Sequence, residues 1–341
     1  MKLEDFHYDL PEACIAQRPL ENRGDSRLLV VDRETGDLND AQFRDLARYL
    51  KVGDVLVIND SAVIPARLIG EKADTRATVE MLLLRQIETN LWECLLKKAK
   101  KVRVGTKLIF GNGLLEAVCT AEKPDGIRWM RLIHAGLFYP LLERLGEMPL
   151  PPYIHEKLDQ PERYQTVYSK HRGSSAAPTA GLHFTTDHLE ALKAAGIICV
   201  AITLHVGLGT FRPVTVKDVT THKMHEEMYT VSAESATIIN KAKEEGRRIV
   251  AVGTTSMRTL ETVQKDGRVV AGSGMSQLFI YPGFDFQVVD ALLTNFHLPA
   301  STLLMLVSAF SSRDIIMKAY QHAIASNYRF FSFGDAMFLT R

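Results

Sequence analysis

The spacing of apolar and polar positions changes character twice along the chain. Residues 53–69, GDVLVINDSAVIPARLI, hold two apolar runs separated by Asn59-Asp60-Ser61. Asn, Asp and Ser side chains bond their own backbone, so the pattern predicts a buried strand, a turn and a second strand. From about 66 to 135 come ATVEMLLLRQ, LWECLLKKA, KLIFGNGLLEAVCTA and GIRWMRLIHA, all apolar, β-prone and spaced by turns. GNG at 111–113 sits between two such runs and predicts a hairpin. The texture is that of a small all-β unit, such as a barrel. FYPLLERLGEMPLPPYI (138–154) then predicts a short helix and a proline-rich exit.

After 160 the pattern alternates. Helical spacing over 186–196 gives way to a strand at 197–207. A helix over 232–246, opening on Ser232, precedes a strand at 247–253. A helix over SMRTLETVQ follows, then a strand at QLFIYP, a loop at TNFHLPAST and a helix over LLMLVSAF. Such alternation predicts an α/β domain with a largely parallel sheet or barrel, whose site lies in loops after the strand C-termini. The β-rich stretch lies between two parts that can belong together, so an inserted domain and two sequential domains both fit the spacing. No internal repeat is present.

Composition narrows the classes. A length of 341 residues suits two domains or one large one, and 46% hydrophobic with 24% charged residues is ordinary for a globular chain. The formal net charge of +1 advertises no polyanionic partner for the molecule as a whole. Cys14, Cys94, Cys119 and Cys199 form no CxxC pair and read as reduced, mostly buried thiols. MKLEDFHYDL carries charge where a signal peptide needs apolar residues, and TLLMLVSAF is about half the roughly 20 residues of a membrane helix. A cytoplasmic protein that acts without a membrane is the expectation, as a monomer.

Four loops combine small residues, hydroxyls and a histidine or arginine: APTAGLHFT (177–185), LHVGLGTFRP (204–213), VGTTSMRTLE (252–261) and LLTNFHLPAST (292–302). They carry His183, His205 and His297, suited to proton transfer near neutral pH. A lone apolar-flanked histidine is more often structural; three such loops after predicted strands make a functional reading as good. GLGTF lacks the third glycine of a dinucleotide fingerprint, and GTTS lacks the lysine of a phosphate loop. GTTS still offers donors at a helix start for a carboxylate or polar ligand. THKMHEEMY (221–229) could set His222 and His225 on one helix face, but no HExxH and no third ligand accompany them, so no metal is expected. KKAKKVRVGTK (97–107) holds six cations without an acid, which fits either a solvated strand edge or a phosphate backbone.

Ten strings in register then acquire a common meaning. DLPEACIAQRP, VINDSAVIPARL, MPLPPYI, YQTVYS, AAPTAGLHF, TLHVGLGTFRPV, VGTTSMRTLE, FIYPGF, LLTNFHLPAST and YRFFSFGDAM closely resemble the S-adenosylmethionine:tRNA ribosyltransferase-isomerases of queuosine biosynthesis, over almost the whole chain. Ser175 and Ala300 depart from the family pattern, without removing a histidine or glycine of the loops. The resemblance implies a distorted α/β barrel (1–65 plus 148–341) interrupted by an inserted small β-barrel domain (66–147). It implies that S-adenosylmethionine is consumed as a ribosyl donor. The acceptor is the aminomethyl group of 7-aminomethyl-7-deazaguanine at the tRNA wobble position, and the products are epoxyqueuosine-tRNA, adenine and methionine.

That chemistry needs a base beside the sulfonium, a donor for adenine and a dry pocket. His183, His205 and His297 are the candidates, with Asp60 and Glu227 as carboxylate options; the roles stay undivided. Thr179, Gly181, Gly207, Gly209, Thr210, Thr254, Thr255, Arg258 and Asn295 are candidates for holding the donor, Arg258 through its carboxylate. Lys97, Lys98, Lys100, Lys101 and Arg103 are candidates for tRNA contact. The competing readings are a non-catalytic RNA-binding module and an ordinary methyltransferase. The latter lacks its glycine-rich loop after a first strand.

Overall fold

The structure is a computed structural model and describes residues 1–97, 99–156, 158–207, 214 and 216–341. The chain divides into two compact units, one of residues 1–61, 152–171 and 177–341, the other of 62–151 with 172–176. Strand β1 (Arg27–Asp32) pairs with β2 (Leu38–Gln42), and β3 (Val55–Asn59) is separated by one residue from β4 (Ser61–Val63).

The smaller unit contains β5 (Arg67–Lys72), β6 (Thr78–Glu88), β7 (Leu91–Leu96), β8 (Lys107–Phe110), β9 (Leu115–Glu122) and β10 (Ile127–His134). They run β5-β6-β7-β10-β9-β8, and β8 returns to β5, so six antiparallel strands close a barrel. Closure leaves no open edge among them. The GNG hairpin joins β8 to β9, with Asn112 at φ 56, which Asn tolerates better than most residues. Helix α1 (Phe138–Leu145) packs Leu142 into the barrel core, and β11 (Gly146–Glu147) pairs with β5.

The rest of the chain supplies β12 (His171–Ser174), α2 (Thr186–Ala194), β13 (Ile198–Leu204), β14 (Glu227–Val231), α3 (Ala233–Glu244), β15 (Ile249–Val252) and α4 (Gly253–Val263). The short pair β16 (Gln264–Lys265) and β17 (Arg268–Val269) precedes β18 (Gly272–Ser276), β19 (Ala291–Asn295), α5 (Thr302–Phe310), α6 (Arg313–Ala325) and β20 (Ala336–Thr340). Nine strands form one mixed sheet in the order β18-β14-β13-β3-β15-β19-β20-β1-β2. Its middle, β13-β3-β15-β19, is parallel. All five residues of β3 are buried, as a central parallel strand covered on both faces requires. Thr185, Ser232, Ser301 and Ser312 cap α2, α3, α5 and α6 by accepting a backbone N–H three residues on.

The α/β alternation and the small barrel therefore both hold. Two local expectations do not. Residues 277–282, QLFIYP, form no strand; the strand lies just before them, at β18. The Leu278 carbonyl is taken by the Arg258 side chain, not by a ladder partner. Residues 221–229 are no helix either. A 3-10 turn at Val219–Thr221 gives way to extended chain and β14, so the three-residue spacing of His222 and His225 lies on no helix face. Among the described residues no helix is long and apolar enough to cross a membrane.

Candidate active site at the strand C-termini

Several buried polar side chains of the larger unit meet at one end of the sheet. The parallel strands β13, β3, β15 and β19 end there, and β14 and β20, each antiparallel to a neighbour, begin there.

Asn59 closes β3 with no exposed surface. Its amide donates to the Leu204 carbonyl and accepts from Leu204 N–H, both at 3.0 Å, extending the ladder by one side-chain rung. It also accepts the Ser61 N–H at 3.1 Å. Three polar groups thereby come together. Asp60 Oδ1 accepts the Thr203 hydroxyl at 2.6 Å, and Oδ2 lies 3.6 Å from His171 Nε2. Ser61 Oγ lies 2.7 Å from His205 Nδ1. His205 is half-buried, and its Nε2 has no hydrogen-bond partner among the described residues. Burial, and next the adjacent His171, lower its pKa, while Asp60 acts the other way. It is therefore neutral at pH 7.

Two residues beyond His205, Gly207 N–H donates to Glu227 Oε1 at 3.0 Å. Glu227 is buried and ion-paired with Arg258 Nη1, while Arg258 Nε donates to the Leu278 carbonyl at 3.1 Å. Arg258 Nη2 is buried and has no hydrogen-bond partner among the described residues. Among the described residues nothing lies closer than 3.9 Å to a Cβ built at 207, so what they use of this position is its N–H. Arg258 stands on α4, whose start explains GTTS. Gly253 has φ 83, a value that suits glycine, at the strand-to-helix turn. The N-cap residue Val252 offers no side-chain cap, and Ser256 Oγ donates back to the Val252 carbonyl. Neither Thr255 nor Ser256 caps the helix. Thr254 is buried, and Thr255 Oγ1 has no partner among the described residues.

His183 and His297 are different in kind. His183 ends a 3-10 helix, Thr179–His183, and is 4% exposed. Its Nδ1 lies 2.8 Å from Ser26 Oγ and its Nε2 3.0 Å from Asn295 Nδ2, so both ring nitrogens are engaged. The ring stacks on Phe43. Burial, and then Arg23 and Arg329, push its pKa down to about 3. Asn295 is fully committed: Nδ2 serves His183 and the Phe331 carbonyl, and Oδ1 accepts from Thr179. Phe331 holds φ 70, an uncommon conformation for a bulky residue, which this bond helps to fix. Gly181 answers to close approach: a Cβ there would lie 2.1 Å from Tyr168 Oη. His297 is buried, its Nε2 3.0 Å from Thr294 Oγ1 and its N–H on Tyr320 Oη; burial lowers its pKa to about 3.

In the barrel unit the basic run is partly compensated, contrary to its sequence appearance. Lys97 pairs with Glu80 and Lys107 with Glu116, both on neighbouring strands. Lys100, Lys101 and Arg103 are exposed and have no ion-pair partner among the described residues. Beneath them Arg128, 6% exposed, donates to the carbonyls of Ala99, Val102, Lys123 and Ile127 and so holds the segment's backbone. Lys98, Gly209 and Thr210 lie outside the described residues.

Sequence reasoning missed Ser26, Thr203, His171 and Arg128. Asn59 and Ser61 sat in the quoted turn, but as turn formers only. Among the described residues no three His, Cys, Asp or Glu side chains are grouped to hold a metal ion.

The family described as queuosine biosynthesis protein matches residues 3–339 of this chain. The S-adenosylmethionine:tRNA ribosyltransferase-isomerase of Staphylococcus aureus strain Newman is 57% identical over 340 residues, covering 99% of this chain and 100% of that protein. The protein of the same name from strain JH9 is 56% identical, with the same coverage. The crystal structure of S-adenosylmethionine tRNA ribosyltransferase from Thermotoga maritima superposes with a TM-score of 0.57 at 40% identity, covering 98% of this chain and 99% of that one.

Proposed function

The chain belongs to the queuosine biosynthesis protein family, and we propose that it carries out the family's ribosyl transfer at the sheet edge formed by β3, β13, β15 and β19. The reaction moves and isomerises the ribosyl group of S-adenosylmethionine onto the aminomethyl group of 7-aminomethyl-7-deazaguanine in tRNA. It yields epoxyqueuosine-tRNA, adenine and methionine. The observation that carries the assignment of the site is the Asp60–Ser61–His205 cluster. It joins a carboxylate to a half-exposed neutral imidazole at the end of a central parallel strand.

The sulfonium acidifies the hydrogens on its neighbouring carbon, and a carboxylate attracts the sulfonium and can take such a proton. Asp60 and His205 act together on the proton transfer and the departing adenine. The uncapped start of α4, with Thr254 and Thr255, receives the donor's carboxylate, and the spare Nη2 of Arg258 supports it. Thr179, Gly181 and Gly207 line the donor's pocket; the same role, carried over to Gly209 and Thr210, falls outside the described residues. His183, Asn295 and His297 hold its wall, and Glu227 anchors Arg258 and Gly207. Lys97, Lys98, Lys100, Lys101 and Arg103 meet the tRNA backbone. Residues 1–65 with 148–341 act as the catalytic domain and 66–147 as the insert. The protein works as a monomer in the cytoplasm.

The test is product analysis with S-adenosylmethionine and tRNA bearing 7-aminomethyl-7-deazaguanine. Adenine and methionine should appear together with modified tRNA. S-adenosylhomocysteine would point instead to methyl transfer, and tRNA binding without adenine release would leave a binding module.

A further inference from the structure

Two serine–histidine pairs stand at the same sheet edge, Ser26–His183 and Ser61–His205, with Oγ···Nδ1 distances of 2.8 and 2.7 Å. The distances are alike, but the protons are not. A serine hydroxyl has one hydrogen to give, and a neutral imidazole has one N–H and one lone pair.

Ser26 Oγ donates to the Arg23 carbonyl at 3.1 Å. Its hydrogen is spent there, so toward His183 it accepts, and Nδ1 carries the ring proton. Nε2 is then the lone pair, which fits the Asn295 Nδ2 donor 3.0 Å away. The Asn295 orientation is itself fixed, because Oδ1 faces the Thr179 hydroxyl and Nδ2 the Phe331 carbonyl.

Ser61 Oγ has no acceptor among the described residues other than His205 Nδ1, and its own N–H is held by Asn59 Oδ1. Its hydrogen goes to Nδ1. We infer that Ser61 is a positioning residue that holds His205 in the opposite tautomer, with the proton on Nε2, so that the ring meets the substrate as a hydrogen-bond donor and not as a base. This rests on the reading of the edge as the ribosyl-transfer site. A neutral imidazole N–H can stabilise the charge developing on the departing adenine, which leaves with the electron pair of its C–N bond and takes up the proton that Asp60 has removed. The base is then Asp60. The bond from hydrogen to the carbon beside the sulfonium breaks, the proton passes to Asp60 Oδ2, and the electron pair stays on carbon. Thr203 occupies Oδ1, which leaves Oδ2 for that task.

Full-length protein labelled with ¹⁵N-histidine gives the tautomer of each ring at neutral pH from two-bond nitrogen–proton correlations, with His205→Gln and His183→Gln assigning the signals. The expected result is Nε2–H for His205 and Nδ1–H for His183. Nδ1–H on His205 overturns the inference. In turnover assays Ser61→Ala should lower kcat by roughly tenfold or more while KM for S-adenosylmethionine stays unchanged, and Ser61→Thr should recover it. Wild-type kcat in Ser61→Ala also overturns it. If Ser61→Ala does not fold, the wild-type and Ser61→Thr spectra still decide. A wild-type enzyme that releases no adenine would remove the functional reading, while the spectrum would continue to judge the tautomer.

Discussion

Acid should weaken the larger unit through two histidines that cannot take a proton where they stand. His183 and His297 are 4% and 7% exposed, and burial holds both pKa values near 3. In the unfolded chain each returns to about 6.5. The folded value lies below the unfolded one, so as pH falls past 6.5 the unfolded state binds protons that the folded state refuses. Stability then rises with pH through this window and falls with acid. Between pH 7 and pH 5 each histidine removes about 2 kcal/mol. Two such losses are a large part of the roughly 5–15 kcal/mol that holds a domain together.

His183→Gln isolates one of them. Helices α2 to α6 all lie in the larger unit, so far-ultraviolet circular dichroism during urea unfolding follows it. Trp92 and Trp129 both lie in the barrel, and their fluorescence reports the other unit. Whatever its stability at pH 7, the variant should lose about 2 kcal/mol less than wild type on going to pH 5. Equal losses in the two proteins would refute the reasoning, because a histidine that is buried and neutral must contribute to the slope.

Three other perturbations address separate parts of the structure. Gly181→Ala puts a Cβ 2.1 Å from Tyr168 Oη and 2.8 Å from Thr166 Cγ2, which should cost about 1–3 kcal/mol in urea unfolding and raise KM for S-adenosylmethionine; unchanged stability would contradict the close approach. Arg258→Met leaves Glu227 charged and buried and should cost about 3–5 kcal/mol, whereas Arg258→Met with Glu227→Gln should cost much less; equal losses would mean that the ion pair is not what holds Gly207. Reversing Lys100, Lys101 and Arg103 to glutamate should reduce the slope of log affinity for tRNA against log salt by about 2–3 and leave donor KM alone; an unchanged slope would take the segment out of the interface.

The barrel was legible because its strands carry their own turn chemistry. GNG sits between two apolar runs and becomes the β8–β9 hairpin. The 277–282 run misled because its apolar side chains say nothing about where a backbone carbonyl bonds. Leu278 is claimed by an arginine twenty residues earlier, a contact that no local pattern contains. The basic run misled for a similar reason. The acids that answer Lys97 and Lys107 come from adjacent strands, and charge patterning along one segment cannot see across a sheet.

The candidate site was legible as a set of loops but not as a division of labour. His183, His205 and His297 look alike in sequence, each a histidine between apolar neighbours after an apolar run. What separates them is the second partner of each neighbour. Asn295 takes the second nitrogen of His183 and turns the ring into part of a wall that also fixes Phe331 and Thr179. His297 is buried, with its Nε2 on Thr294. Among the described residues His205 keeps an unclaimed Nε2, and its neighbour in space, Ser61, faces Nδ1. That serine reaches the edge because Asn59 bonds both the Ser61 N–H and Leu204, and so holds the ends of β3 and β13 together. A mutation at Asn59 should therefore act on His205 from one strand away. It should change the ring's tautomer as well as the stability of the strand pair. Asn59→Asp is the sharper variant, because it retains an acceptor for Leu204 N–H and Ser61 N–H but loses the donor to the Leu204 carbonyl. A protein that keeps the wild-type His205 spectrum after that change would show that Ser61 alone sets the ring.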